Sequence, residues 1–242
     1  MKNIKISIIS AVLILASLIS AKAQTADEII QKHITAIGGL ENWQKLNSVK
    51  MTGNINAGGM EIPVTITNMQ NKAQKVEFTI NGMTGYQIIT NTDGWAFNPM
   101  AGQQSPQAMT TEDVKQAQSD LDMQGPLIDY KTKGNKVTYL GKDDVEGTEC
   151  HKLKVTYPNG KEETLYIDAT TFYHIRSVEK IKANGKEEEH TSNYGNYQKL
   201  PEGIVWPMSI DGGGGAVAVT SVEINKPIDE SIFKPTTDAG KK

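Results

Sequence analysis

Residues 61–82 read EIPVTITNMQNKAQKVEFTING, and the period of this stretch decides the fold class. Ile62, Val64 and Ile66 alternate with Pro63, Thr65 and Thr67; after a polar break, Val76, Phe78 and Ile80 alternate with Glu77, Thr79 and Asn81. Successive side chains of a strand point to opposite faces, so a period of two predicts two half-buried strands. Asn81-Gly82 then offers the positive φ angles of a tight hairpin, and Gly58-Gly59, Asp93-Gly94, Asn159-Gly160 and Asn184-Gly185 offer the same chemistry elsewhere. Repeated hairpins make neighbouring strands antiparallel. About ten strands are expected between Val49 and Asn225, and parallel α/β folds are excluded.

Upstream of this region the period is helical. Thr25-Ala-Asp-Glu28 has the form of a capping box, Ile29, Ile30, His33, Ile34 and Ile37 make one apolar stripe, and Gly38-Gly39 ends it. A short second turn follows, with Leu40, Trp43 and Leu46 in phase. So narrow a stripe needs a sheet to lie on. The β pattern is interrupted once, by a stretch from Pro99 to Thr110 rich in Gln, Gly, Pro and Met. A helix is expected next, from Thr111 to Met123, with Val114, Ala117 and Leu121 as a thin stripe and Gly125-Pro126 as its stop. This 99–123 insert reads equally as a lid over the sheet and as a surface decoration.

The 242 residues carry 25 Lys+Arg against 28 Asp+Glu, a formal charge of −3, with 38% hydrophobic and 22% charged residues. Collagen-like, coiled-coil and disordered chains are excluded by that composition. A pI near 5.9 without a basic block leaves nothing to neutralise a run of phosphates, so nucleic acid is not an expected partner. Lys2 and Lys5, the apolar run from Ile6 to Ala21 and the small residues of Ala21-Lys22-Ala23 have the form of a cleaved signal peptide spanning residues 1–23. The run is shorter than the ~20 apolar residues that cross a bilayer. Cleavage before Gln24 removes three lysines and no acidic residue, taking the charge from −3 to −6. No cysteine stands near that point to take a lipid. The expectation is a soluble periplasmic protein in which residues 24–242 form a single domain with only transient membrane contact.

Cys150 is the only cysteine, so no intramolecular disulfide exists and the fold stands on its core. Lys152 and Lys154 alternate onto its side of a strand, where they would favour a thiolate; the plain reading is a tolerated, partly buried thiol. His33, His151, His174 and His190 are scattered, and no metal or cofactor is expected. His174 and Arg176, the sole arginine, would share a strand face and could hold an anion, although a solvated face or a cross-strand ion pair is the simpler reading. Lys186-Glu-Glu-Glu-His190 reads as an edge strand guarded by charge. Gly212 to Gly215 reads as a hairpin tip, Asp168 as a cap of the turn that follows it, and Asp143 and Asp144 form no catalytic pattern. Without a nucleophile elbow, a zinc motif or a phosphate loop, an enzyme is not expected.

The positive signal is apolar. Val64, Ile66, Phe78, Ile80, Trp95, Phe97, Leu165, Ile167, Ile204, Trp206 and Met208 alternate along five segments, and 9 methionines supply adaptable surface. These eleven residues are the candidate lining of an acyl-chain cavity; a dry core packed by the helices is the alternative.

Several segments also resemble a known family. Gly38-Gly39-Leu40-Glu41-Asn42-Trp43, Gly147-Thr-Glu-Cys-His-Lys-Leu-Lys154, Thr164-Leu-Tyr-Ile-Asp168 and Tyr197 through Leu200-Pro-Glu-Gly-Ile-Val-Trp-Pro207 are similar to the outer-membrane lipoprotein-sorting proteins, the periplasmic LolA/LolB-like lipoprotein-carrier superfamily. The resemblance implies a mainly β (α+β) fold, a strongly curved and incompletely closed antiparallel β-barrel. An N-terminal helix and the mid-chain insert would cover it, and it would hold a lipid or an acylated lipoprotein without catalysis. Envelope transport proteins are the further partners it implies. Carriers of this kind tie their lid with an arginine on an early strand, whereas Arg176 lies late, so no lid-locking residue is carried over. The missing lipid-attachment cysteine argues against the membrane-anchored branch. The other reading is a module that binds an envelope protein or polymer through the same fold with a packed interior.

Overall fold

A computed structural model describes residues 26–183, 186–213 and 215–236. The expected signal peptide, Thr25 of the capping box and the Asn184-Gly185 turn lie outside the described residues. The order of elements is α1 (26–36), α2 (Leu40–Gln44), β1 (Ser48–Ala57), β2 (Met60–Met69), β3 (Ala73–Ile80), β4 (Met83–Thr90), β5 (Gly94–Phe97), β6 (Gln107–Ala108), α3 (Thr111–Ala117), β7 (Lys136–Val145), β8 (Thr148–Thr156), β9 (Glu162–Asp168), β10 (His174–Ala183), β11 (Lys186–Lys199), β12 (Val205–Asp211) and β13 (Ala216–Ile224). The hydrogen-bonded order is β6-β5-β4-β3-β2-β1-β13-β12-β11-β10-β9-β8-β7, so the sheet has two unpaired ends and is not closed. Every ladder whose register is described is antiparallel. Thirteen strands replace the ten expected; β6 is two residues long and leaves no periodic trace.

The chain divides into two compact units, residues Met1–Ile37 with Asp129–Thr191, and Gly38–Ile128 with Ser192–Lys242. The first holds α1 together with β7 to β10. Ile29, Ile30 and Ile34 of α1 are buried, as are Leu153, Val155, Leu165 and Ile167 of the strands. Tyr130 donates to Asp27 at the start of α1, and His33 bonds to the Phe172 carbonyl at 2.8 Å. Glu146-Gly147, with φ of 54° and 87°, turns β7 into β8. Asp168 caps the next turn as expected, its Oδ1 accepting from the amides of Thr170 and Thr171 at 2.7 and 3.0 Å.

In the second unit Asn81-Gly82 takes φ of 50° and 76°, the left-handed pair a two-residue hairpin requires. Asp93-Gly94 does not: Gly94 opens β5 in extended backbone, and its role is close approach. A Cβ there would sit 2.8 Å from the Met109 sulfur and 3.0 Å from Val114 Cγ2. The expected 111–123 helix is shorter. Thr110 caps it by accepting from the Asp113 amide at 3.1 Å, but α3 ends at Ala117 and passes into a 3-10 turn, Gln118–Leu121. Polar anchors explain the change. Gln118 donates to the Asn91 carbonyl at 2.7 Å, the Asn71 amide to the Leu121 carbonyl at 2.8 Å, and Gln70 to Asp122 at 2.7 Å. These bonds hold the insert against the β2–β3 and β4–β5 turns.

Lys186 to His190 begins β11 ahead of Asn193 to Lys199, the residues that pair with β12, so this stretch has no described partner on that side, in keeping with a charged edge. One further expectation is corrected. A bulge in β10 pairs His174 with Ile167 but Arg176 with Tyr166, which puts the two residues on opposite faces. The His174 ring bonds to the backbone carbonyl of Arg176 at 2.9 Å while the guanidinium meets Glu146, so no joint anion site forms.

Candidate functional site

Register divides the second unit's sheet into two unlike faces. Met51 stands opposite Ile66 and Val222, Gly53 opposite Val64 and Val219, and Ile55 opposite Ile62 and Val217. Beyond them Val64 faces Phe78, Ile66 faces Val76, Ile80 faces Met83, and Val217 faces Ile210. Alternation puts Trp206 and Met208 on the same side as Ile210. Across β1 to β4, β12 and β13, this face carries no Lys, Arg, Asp or Glu. The other face of the same strands bears Lys50, Lys75, Glu77 and Glu223.

The uncharged face is covered unevenly. Trp43 of α2 stacks on Trp206 with ring centroids 5.7 Å apart and planes 15° apart, and Val114 lies near Gly94 at the β4–β5 end. Between these points Ile55, Ile62, Ile66, Phe78, Ile80 and Met208 remain partly exposed. Met60 and Met83, just past the β1–β2 and β3–β4 turns, are 55% and 43% exposed. Large side chains left part-open on a charge-free face can take up hydrocarbon by area alone.

Of the eleven residues expected to line a cavity, Val64, Ile66, Phe78, Ile80, Trp206 and Met208 stand on this face, and Ile204 is buried immediately before β12. Trp95 and Phe97 do not join them. They pair with Ile88 and Tyr86 on the opposite face, where Tyr86, Ile88, Phe97 and Ala73 pack with Phe233 of the C-terminal segment. The Tyr86 hydroxyl donates to the Thr236 carbonyl at 2.8 Å and accepts from its amide at 2.9 Å, fixing that segment in place. Leu165 and Ile167 belong to the first unit, fully buried beside Leu153 and Val155. Alternation within each strand cannot show which face of a distant strand it shares, so the sequence grouped residues that the register separates. The Trp43–Trp206 stack had no sequence signal, and Ile55 and Val217 were hidden beside glycine-rich turns.

The buried histidines and the lone thiol lie in the first unit. His33 is buried and His174 half-buried, both are neutral, and desolvation pushes each below the ordinary histidine range, His174 to about 3 with His33 as a second cause. The His151 ring stacks on Phe172 at 5.9 Å and Lys32 lies 5.3 Å from the same ring. Glu163 is held above the usual carboxylate range chiefly by burial, against a 2.5 Å bond from the Tyr157 hydroxyl. Among the described residues no group of three or more His, Cys, Asp or Glu could hold a metal ion.

Cys150 is fully buried, and burial, with Asp168 and Asp144 adding to it, pushes its thiol up to about 11. Lys152 and Lys154, which could have lowered it, are engaged elsewhere, with Asp143 at 2.9 Å and Glu162 at 3.0 Å, so the plain reading of a buried thiol holds. The native protein at pH 8 is therefore expected to react with Ellman's reagent at least a hundredfold more slowly than the urea-unfolded chain. Equal rates would show that Cys150 is accessible.

No helix among the described residues is long and apolar enough to cross a membrane. No protein-family model and no curated protein matches the sequence. Solved structures do match the fold. A LolA superfamily protein from Nitrosomonas europaea is similar at 15% identity and a TM-score of 0.53, over 86% of this chain and 97% of that one. A domain from Vibrio parahaemolyticus named for outer-membrane lipoprotein sorting gives 12% and 0.51 over 87% and 97%. A DUF1329 family protein from Desulfovibrio piger gives 11% and 0.53 over 86% and 97%. The chain thus has the fold of LolA-like proteins, in agreement with the resemblance of its motifs.

Proposed function

We propose that the protein is a non-enzymatic carrier or binder of lipid or lipoprotein acyl chains that works in the periplasm in outer-membrane lipoprotein sorting or lipid transfer. The observation that carries the reading is the uncharged face of β1 to β4, β12 and β13, with Ile55, Ile62, Phe78, Ile80 and Met208 partly exposed on it. Each CH₂ moved from water onto such a surface contributes ~0.8 kcal/mol, so one or two acyl chains bind usefully without fixed polar contacts. The LolA-like fold supports the same class of ligand, and the signal-peptide pattern of residues 1–23 supports the location.

The test is native and denaturing mass spectrometry on protein exported with its own signal and purified without detergent. A reproducible mass excess released as lipid on denaturation is expected. A bare mass for residues 24–242, unchanged after incubation with phospholipid vesicles, would sink the carrier in favour of a protein- or polymer-binding module. Met208→Glu places a charge on the face at a position that is not fully buried, and lipid occupancy is expected to fall roughly tenfold or more with folding retained. Unchanged occupancy would take Met208 out of the site.

A further inference from the structure

Among the described residues, two buried side-chain polar atoms lack a hydrogen-bond partner, Trp206 Nε1 and Asn68 Oδ1. Both residues stand on the uncharged face. A buried indole N–H ordinarily finds an acceptor, and leaving one unmade is costly enough to need a reason. The Trp206 ring has little freedom to turn toward another partner. It stacks on Trp43, which is itself buried and whose carbonyl accepts from Gln124 Nε2 at 3.0 Å. Gln198 stands opposite Trp206 on β11 and Met208 follows it on β12, yet neither the Gln198 amide oxygen nor the weakly accepting Met208 sulfur meets the indole N–H, and Ile210, Val219 and Val222 on the same face have no acceptor in their side chains.

We propose that Trp206 Nε1 donates to the carbonyl oxygen of an ester-linked acyl chain, so that this face selects acyl lipids over alkyl ethers of the same length. The inference rests on the reading of this face as lipid-binding and adds to it the chemical class of the linkage. A saturated chain has no acceptor, and the ester carbonyl is the acceptor nearest to it. A phosphate is the poorer fit, because no Lys or Arg stands on this face of the six strands to balance its charge, whereas one neutral N–H matches one neutral carbonyl.

The probes are a diacyl phosphatidylcholine and its dialkyl ether analogue with identical chains, titrated into the whole exported protein. The protein is expected to bind the ester lipid roughly 5- to 50-fold more tightly, the range of one hydrogen bond to an otherwise unsatisfied donor. Trp206→Phe, which keeps a ring to stack on Trp43, is expected to bind both lipids equally. In the ¹⁵N-labelled protein the Trp206 indole resonance is expected to move with the ester lipid and not with the ether; this readout needs no variant and decides the matter if Trp206→Phe does not fold. Equal binding of the two lipids by the unmodified protein overturns the proposal and leaves the carrier standing. So does a preference that survives in Trp206→Phe, or an indole resonance that reports a bound water and responds to neither lipid. Binding of neither lipid overturns the proposal together with the reading beneath it.

Discussion

Acidification from pH 7 to pH 3 is expected to remove on the order of 5 kcal/mol of folding stability through His174 alone. Burial holds the folded-state pKa of His174 at about 3, below its unfolded value of 6.5, so the unfolded chain takes up the proton first. Its contribution is complete above pH 6.5 and is lost progressively as the pH falls toward 3, at ~1.4 kcal/mol per unit. His33 is lowered for the same reason and adds to the loss in the same direction. The sum approaches the whole stability of an ordinary domain, roughly 5–15 kcal/mol, so acid unfolding is expected before pH 3 is reached. Glu163 opposes this: its folded pKa is raised, so its contribution is present at low pH and is lost as the pH rises. Urea unfolding of the protein and of His174→Gln at several pH values separates the terms, since the carboxylates are common to both. Glutamine can still donate to the Arg176 carbonyl and does not titrate. The slope of stability against pH between 4 and 6 is expected to be shallower in the variant by about one proton. Parallel curves would mean that His174 is solvated or already charged in the native protein.

The sequence made the strands legible because burial on one side imposes a period of two, and Ile62-Val64-Ile66 and Val76-Phe78-Ile80 carry it without interruption. It made the turns legible where two consecutive residues need positive φ, as at Asn81-Gly82. It did not reveal lateral relationships. Trp95 and Phe97 looked equivalent to Phe78 and Ile80, yet the register places them on the opposite face beneath Phe233, a contact set by a C-terminal segment far away in the chain. His174 and Arg176 looked like neighbours on one face until the bulge that accommodates Ile175 separated them. A bulge is a tertiary adjustment between strands, and a single-strand pattern contains no trace of it. The lysines beside Cys150 do not favour a thiolate for a related reason: their ammonium groups reach across to Asp143 and Glu162, and the thiol is governed by burial and by acids from other strands. What survived from the sequence into the candidate site was the apolar period of β2, β3 and β12; what the structure added was the charge-free continuity of six strands and the ring of Trp43.

Replacing Gly38 with alanine is expected to cost about 3 kcal/mol or more and to disconnect the two tryptophans. Gly38 has φ of +111°, a conformation that side chains rarely adopt, and a Cβ there would lie 2.2 Å from the Gly203 carbonyl oxygen and 3.0 Å from Ile204 Cα. Every atom in that collision is backbone, so no rotamer change relieves it. Gly203 is constrained in turn: its own φ is +87°, and a Cβ on it would sit 2.7 Å from Asn42 Nδ2, which donates to the Gly38 carbonyl at 2.7 Å. The two glycines therefore let the entrance of α2 lie directly on the turn that leads into β12. Trp43 is carried by that helix and Trp206 by that strand, so the same contact sets the stack. In Gly38→Ala, α2 must move away or the turn must open, and either change separates the rings. Thermal unfolding is expected to shift down by roughly 10 °C or more, and the fluorescence of Trp43 and Trp206 is expected to change in the folded state, while Gly39→Ala, with nothing near its missing Cβ, pays only for its φ of +87°. A Gly38→Ala protein as stable as Gly39→Ala, with unaltered fluorescence, would show that α2 does not rest on the Gly203 turn and that Trp43 does not hold Trp206 in place.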